Sequence, residues 1–350
     1  METERNGVER PNTIVPERTD RPLSKIVSHA MLVHAVVALI ELGAIEELSG
    51  HPRRLGEVAR TLDVPEERLL ILVRAALAAG LIDEPSPGFF SLSPAGAHLR
   101  TDHPQGLRDL FRMCTHGDFF QAWTHLDHSV RSGRTAFALH TGQELFDYLR
   151  ERQDAATVFN QAMNSSALAA PLLREIDLAG AETVVDLGGG EGATIAALLR
   201  ACPSTRGVLF DLPHVVQGAP SLLREAGVQD RCAVVGGDFF EGVPRGADVY
   251  LMARVVQNWA DREAALILRK VREAMSSSSR LLIVGHLPGR ERPSEFLEAM
   301  SLSMFVLYGA PLRSRQDHEG LFASVGLSLH DVHRVPDGES IMDVRPVPMF

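Results

Sequence analysis

Val184-Val-Asp-Leu-Gly-Gly-Gly-Glu-Gly-Ala-Thr194 decides the fold. Two β-branched residues run into an acid, which a glycine cluster succeeds. Ile195, Ala196, Leu198 and Leu199 then recur at helical spacing. A buried strand that feeds a glycine turn and a helix N-terminus is how a doubly wound sheet approaches a nucleotide-like ligand. Glycines at 188, 189, 190 and 192 let the backbone come within contact distance where a Cβ would intrude. Many turns carry such a cluster, so the continuation of the chain beyond it is more telling.

The next segment is Gly207-Val-Leu-Phe-Asp211-Leu-Pro, a second apolar run ending in an acid. That is the spacing at which a second strand presents a carboxylate to ribose hydroxyls. Val234-Val-Gly-Gly-Asp238-Phe-Phe and Ala247-Asp-Val-Tyr-Leu-Met-Ala253 read as a third and a fourth strand. The glycine run lacks the GxGxxG register of dinucleotide enzymes, and a third acid closes the third unit. Strand-like and helix-like runs alternate to the end, which predicts an α/β, Rossmann-like C-terminal domain.

This series resembles the S-adenosyl-L-methionine site of class I methyltransferases. Together with Arg254-Val-Val-Gln-Asn-Trp259-Ala-Asp and Gly309-Ala-Pro-Leu-Arg-Ser314 it is similar to the O-methyltransferase family that includes the plant caffeate methyltransferases. Closer still are bacterial members that tailor aromatic antibiotics, the anthracycline methyltransferase and hydroxylase group. The similarity runs from about Leu23 to the C-terminal residue. It implies that Gly188 and Gly190 admit the cofactor to the backbone, that Asp211 takes the ribose hydroxyls, and that Asp238 and Phe239 face adenine. Asp186 has two readings: it meets the methionine ammonium or orients the loop, or it caps the following helix. Met163 matches a family position near the sulfonium and reads equally as a core methionine.

The catalytic region departs from the plant-type pattern. The family's base histidine falls at Gln257, and the two glutamates that flank it fall at Gly285 and Leu312. A carboxamide has no usable pKa near neutrality, so Gln257 orients a hydroxyl or carbonyl and does not take its proton. Asn258 and Arg313 are further polar candidates for the acceptor, although Arg313 also suits a structural salt bridge. A replacement base would come from His116, His125, His128 or His286, of which His286 adjoins the lost glutamate. The resemblance implies that the helices around Phe120 and Trp123 line the acceptor pocket. The expected reaction is methyl transfer to a hydroxyl of an aromatic secondary metabolite, driven mainly by placement. A non-methylating tailoring enzyme on the same fold (a hydroxylase or cyclase), or a C- or N-methyltransferase, is the alternative.

Composition bounds the rest. Hydrophobic residues at 45% and charged residues at 23% are ordinary for a globular protein. The net charge of -10 argues against a nucleic-acid partner. Cys114, Cys202 and Cys232 are widely spaced, with no metal-ligand pattern, so free thiols in a cytoplasmic protein and no metal are expected. Residues 1–21 read as a disordered tail and 22–105 as a winged-helix-like dimerisation domain. Residues 106–170 read as a helical acceptor-pocket segment, and 171–350 as the cofactor-binding domain. One long helix over 23–48, helices at 55–62 and 66–79, and a hairpin at 81–92 make up the second part. The apolar stretch from about His29 to Leu42 is too short for a membrane span and suits a buried or dimer-forming helix. The helices at 23–48 and 66–79 hold more apolar residues than one face can hide, and the family forms homodimers through this module.

Overall fold

The computed structural model describes residues 21–350 except 104–105, 116, 164–175, 177, 179, 289–294, 310–311, 336–338 and 348–350. Val36, Leu39 and Ile40 recur on one face of the first helix, α1 (Arg21–Glu41), and are buried there. The helix read over 23–48 does not continue unbroken. Gly43, at φ 77°, ends it in a conformation that a Cβ would strain, and the chain resumes as α2 (Ala44–Glu47). β1 (Arg53–Arg54), α3 (Leu55–Thr61) and α4 (Glu66–Ala78) come next, then an antiparallel hairpin of β2 (Ile82–Ser86) and β3 (Phe89–Leu92). β1 adds to the hairpin and makes a three-stranded sheet in the order β1-β3-β2. Helices closed by a small wing are the expected arrangement, and Ile45, Leu48, Leu69, Val73 and Ile82 form its interior.

Half of α1 stays outside that interior. Leu23, Ile26 and Met31 are 69%, 65% and 68% exposed, and Ile71 of α4 is 68% exposed. Pro22–Glu41 spans 20 residues and contains an 18-residue window of mean hydropathy 1.8, so it is long and apolar enough to cross a membrane by length and composition. The shorter stretch read from the sequence understated it.

This compact unit ends at Ala95, and a second runs from Gly96 to Phe350, so the helical segment after 106 shares a unit with the large sheet. That sheet comprises β4 (Thr183–Leu187), β5 (Arg206–Asp211), β6 (Cys232–Gly236), β7 (Val249–Ala253), β8 (Arg280–His286), β9 (Leu327–Arg334) and β10 (Glu339–Pro346). Their order is β6-β5-β4-β7-β8-β10-β9. β4 to β8 pair in parallel, whereas β10 runs antiparallel to both β8 and β9, so the strand–helix alternation gives way to a C-terminal hairpin. β4, β7 and β8 are almost continuously buried because helices cover both faces. Ala264, Ile267, Leu268, Val271 and Phe322 cover one face, and Ile195, Leu199, Ala219 and Leu223 the other. A third cluster joins Phe119, Phe137, Leu145 and Tyr148 of the helical segment to Val306 and Leu307 of the helix Glu295–Tyr308. The strand order reverses between β4 and its neighbours β5 and β7, and the crevice beyond their C-terminal ends is where such sheets bind ligands.

Candidate active site

β4 delivers its chain into that crevice. The Gly188 N–H donates to the Phe210 carbonyl at 2.8 Å, which ties the glycine turn to the adjacent strand. Gly188 and Gly190 take φ values of 69° and 63°, and Gly192 at 95° forms the N-cap of the helix Ala193–Ala201. Asp186 lies at the same end of the sheet, before the turn. Its side chain is buried, and neither carboxyl oxygen is within good hydrogen-bond geometry of a partner, the Ile195 N–H approaching only loosely. Burial and the nearby Asp211 push its pKa up to about 7, against a weaker pull from the Ile195 N–H. An orphaned buried carboxyl is costly, and a cation arriving at the turn would relieve it.

Asp211 ends β5 and holds the turn from the other side. Its Oδ2 accepts from the Gly190 N–H at 2.8 Å and its Oδ1 from the Leu212 N–H at 2.7 Å. Burial raises its pKa while these two donors lower it. Asp238, beyond β6, accepts from the Phe240 N–H at 2.8 Å. The crevice is shaped by missing side chains. A Cβ on Gly188 would lie 2.8 Å from Val255 Cγ2, and one on Gly237 would lie 2.6 Å from the Phe210 ring. Gly189 is hemmed in on two sides: its Cβ would meet Asp186 Oδ2 and Leu209 Cδ1 at 2.6 Å each. A cradle with a positive helix end, three strand-ending acids and one uncompensated carboxyl fits S-adenosylmethionine, whose cationic and ribose groups match that chemistry.

An aromatic wall leads away from this corner. The Trp259 ring meets Phe239 edge-on at 5.7 Å and Phe240 edge-on at 4.9 Å, and stacks on Phe146 at 5.3 Å. Phe146 in turn contacts Phe159 at 6.4 Å and Tyr308 at 5.8 Å. Trp123 and Met163 are partly buried against the same helical cluster, and Phe120 is half-buried. The sequence motif contained Trp259, but its ring partners lie on separate segments, so no local signal marked the wall.

The turn after β7 holds the remaining candidates. Arg254 has φ 60°, unusual for a residue with a Cβ and a sign of local strain where a chain is bent for function. Its guanidinium grips Glu339 of β10 with two bonds, at 2.6 and 2.7 Å. Gln257 lies in the 3-10 turn Val256–Asn258. Its Nε2 donates to Met304 Sδ at 3.7 Å, and its Oε1 is buried with no partner. A Cβ on Gly285 would fall 2.7 Å from that oxygen. The glutamine amide thus points into the space that a side chain at 285 would occupy, so the changes at 257 and 285 belong together.

Two acceptor candidates make bonds within the fold. Arg313 is 8% exposed, and its guanidinium donates to Asp261 Oδ1 at 2.8 Å, to the Val256 carbonyl at 3.0 Å and to the Trp259 carbonyl at 2.5 Å. It is a clamp on the 256–259 turn, the structural salt bridge that the sequence also allowed. Asn258 Nδ2 donates to the Arg254 carbonyl at 2.9 Å and braces the same turn. His286 ends β8 opposite Glu339 and lines a small cavity with Gln257, Gly285 and Arg313. His128 is exposed beside Asp127, His125 sits 5.5 Å from His140, and His116 lies outside the described residues.

The strand order, the glycine turn and the acids beyond it define a class I, S-adenosylmethionine-binding methyltransferase. A family model of the O-methyltransferase domain matches residues 123–328, and the chain belongs to that family. It is 35% identical over 334 residues to a phenazine O-methyltransferase of Lysobacter antibioticus, covering 93% of this chain and 97% of the relative. It is 38% identical over 309 residues to the O-demethylpuromycin-O-methyltransferase of Streptomyces alboniger, covering 84% and 81%. The solved structure of a mitomycin 7-O-methyltransferase superposes with a TM-score of 0.83 at 32% identity, over 94% of this chain and 98% of that one. The chain is thus an S-adenosylmethionine-dependent O-methyltransferase.

Proposed function

We propose that this enzyme methylates a hydroxyl of an aromatic secondary metabolite, and that it does so by placing the two reactants and not by removing a proton. The carrying observation is Gln257 with its amide turned into the space over Gly285, where a base and its supporting acid would otherwise sit. S-adenosylmethionine, when bound, supplies a methyl group made electrophilic by its sulfonium. Gly188 and Gly190 admit the cofactor to the backbone, and Asp211 uses its remaining lone pairs for the ribose. Asp238 and Phe239 address adenine, and Asp186 balances the methionine ammonium. Met163 lies toward the sulfonium, while Phe120, Trp123 and the Trp259–Phe146 stack hold a flat acceptor.

Holding nucleophile and methyl in line supplies up to about 7–11 kcal/mol, enough that an acidic phenol needs little help. Gln257→Ala is accordingly expected to keep kcat within about tenfold and to lose acceptor affinity, whereas a general base would contribute about 10²–10⁴-fold. The pH profile should track ionisation of the acceptor. Steady-state kinetics with an assay for S-adenosylhomocysteine and methylated product reads both, and a loss of several orders of magnitude in kcat overturns the reading. Asp211→Ala should weaken cofactor binding by about 1–3 kcal/mol, since a charge-assisted contact and a brace of the turn go together. Calorimetry with unchanged affinity would count against it.

The exposed apolar face of α1 is covered by a second copy of the chain, and the enzyme works as a cytoplasmic homodimer. The composition of that helix supports this reading, since Lys25, His29 and His34 interrupt the apolar residues along it. Sedimentation should give twice the 38.2 kDa chain mass, and Ile26→Asp with Met31→Asp should give the monomer. A wild-type monomer at micromolar concentration overturns it.

A further inference from the structure

His318 lies on the helix Arg315–Ala323. It is 4% exposed, its ring packs on Phe322 at 5.6 Å, and its Nδ1 is buried with no hydrogen-bond partner. Gln257 Oε1 is buried and unpartnered in the same way. Both residues line one cavity, with Gly285, Arg313 and Met342 among its other walls. Two orphaned polar atoms around a shared space are a costly arrangement in a native fold unless something small joins them. The cavity leaves about 10 Å³ for the centre of a water molecule, enough for a single water and far too little for any part of an aromatic acceptor.

We infer that His318 is a positioning residue for methyl transfer: through one bound water it holds the Gln257 carbonyl, so that the Gln257 N–H₂ is turned toward the acceptor oxygen. The inference rests on the reading of Gln257 as the residue that orients the acceptor. The amide nitrogen has only the Met304 sulfur, a weak acceptor, at 3.7 Å, so it has donor capacity to give to a phenolate oxygen. An N–H donated to that oxygen favours the ionised acceptor without taking a proton from it. Gly285 is what makes room for this geometry, since any Cβ there would displace the carbonyl.

The imidazole suits the task. Burial and the adjacent Arg313 guanidinium push its pKa down to about 4, against smaller opposing effects of Asp317 and Asp261. A neutral ring at working pH presents one N–H and one lone pair, either of which a water can meet. His286 shares the cavity, and Arg313 is already committed to the 256–259 turn.

The test is a double-mutant cycle on the full-length enzyme with a phenolic acceptor that it turns over. His318→Phe keeps the ring packing and removes the polar atoms. It should raise the acceptor KM about three- to tenfold, the loss of one hydrogen-bonded link, with cofactor affinity and thermal midpoint unchanged. The acid limb of the rate profile should move to higher pH. His318→Asn, whose amide falls near the place of Nδ1, should recover most of the KM, and Gln257→Ala with His318→Phe should be no worse than Gln257→Ala alone. Losses that multiply, or a His318→Phe enzyme with normal KM while Gln257→Ala is impaired, overturn the inference and leave the Gln257 reading intact. So does a His318→Asn enzyme that is as impaired as His318→Phe. A normal acceptor KM in Gln257→Ala removes both.

Discussion

Glu339→Ala is expected to lower the stability of the sheet domain by about 3–5 kcal/mol, the cost of leaving a buried charge without its partner. The Glu339 and Arg254 side chains are 7% and 14% exposed and share two bonds, so water cannot replace the missing carboxylate. Arg254 would then hold its strained φ of 60° at the head of the 256–259 turn without the Glu339 carboxylate. Urea denaturation monitored by tryptophan fluorescence reads the loss directly, since Trp259 ends that turn. Replacing both residues with leucine should recover most of the stability, because an ion pair taken out of water gains little over well-packed apolar groups. A Glu339→Ala enzyme within about 1 kcal/mol of wild type, roughly a fivefold change in the folding equilibrium, would show the pair to be dispensable.

Gly189→Ala is expected to weaken cofactor binding at least about tenfold. The new methyl would meet Leu209 Cδ1 and Asp186 Oδ2 at 2.6 Å, and both side chains are buried and cannot swing away. Overpacking of this kind costs about 1–3 kcal/mol, and the backbone escapes it only by lifting the turn into the crevice. A shift of the turn also breaks the Gly190 N–H bond to Asp211 that sits beside it. Calorimetric titration should show at least about a tenfold weaker Kd, equivalent to about 1.4 kcal/mol. A folded Gly189→Ala protein with wild-type affinity would mean that the turn is softer than its contacts indicate.

The glycine turn and the acids around it were legible in the sequence because they are local. Asp186, Asp211 and Asp238 each end or closely succeed one apolar run, and period and spacing along the chain are enough to pick them out. Gly188 and Gly190 were legible for the same reason. Gly189 was read with them as a place where a Cβ would intrude, but that Leu209, a side chain of the neighbouring strand, is what it would meet was not legible. The break in α1 at Gly43 was missed because apolar residues continue at helical spacing on both sides of it. The two readings of Arg313 could not be separated in the sequence because its partners, two backbone carbonyls and Asp261, lie more than fifty positions away. Arg254 and Glu339 are 85 positions apart, and nothing local in either segment marks the other.

What the sequence by itself determined is the set of strand–turn–helix units, their order, the acids that end them and the absence of a histidine at 257. These come from backbone conformational preference and side-chain period, which act over a few residues. Tertiary structure decided which groups are spent on scaffolding and which are left facing the crevice. Arg313 and Asn258 became braces of the 256–259 turn, Asp186 and the Gln257 carbonyl stayed uncompensated, and His318 came to share a cavity with Gln257. The physical reason is that hydrogen-bond satisfaction and steric fit are properties of packed neighbours, and the neighbours that matter here come from strands and helices far apart in the chain.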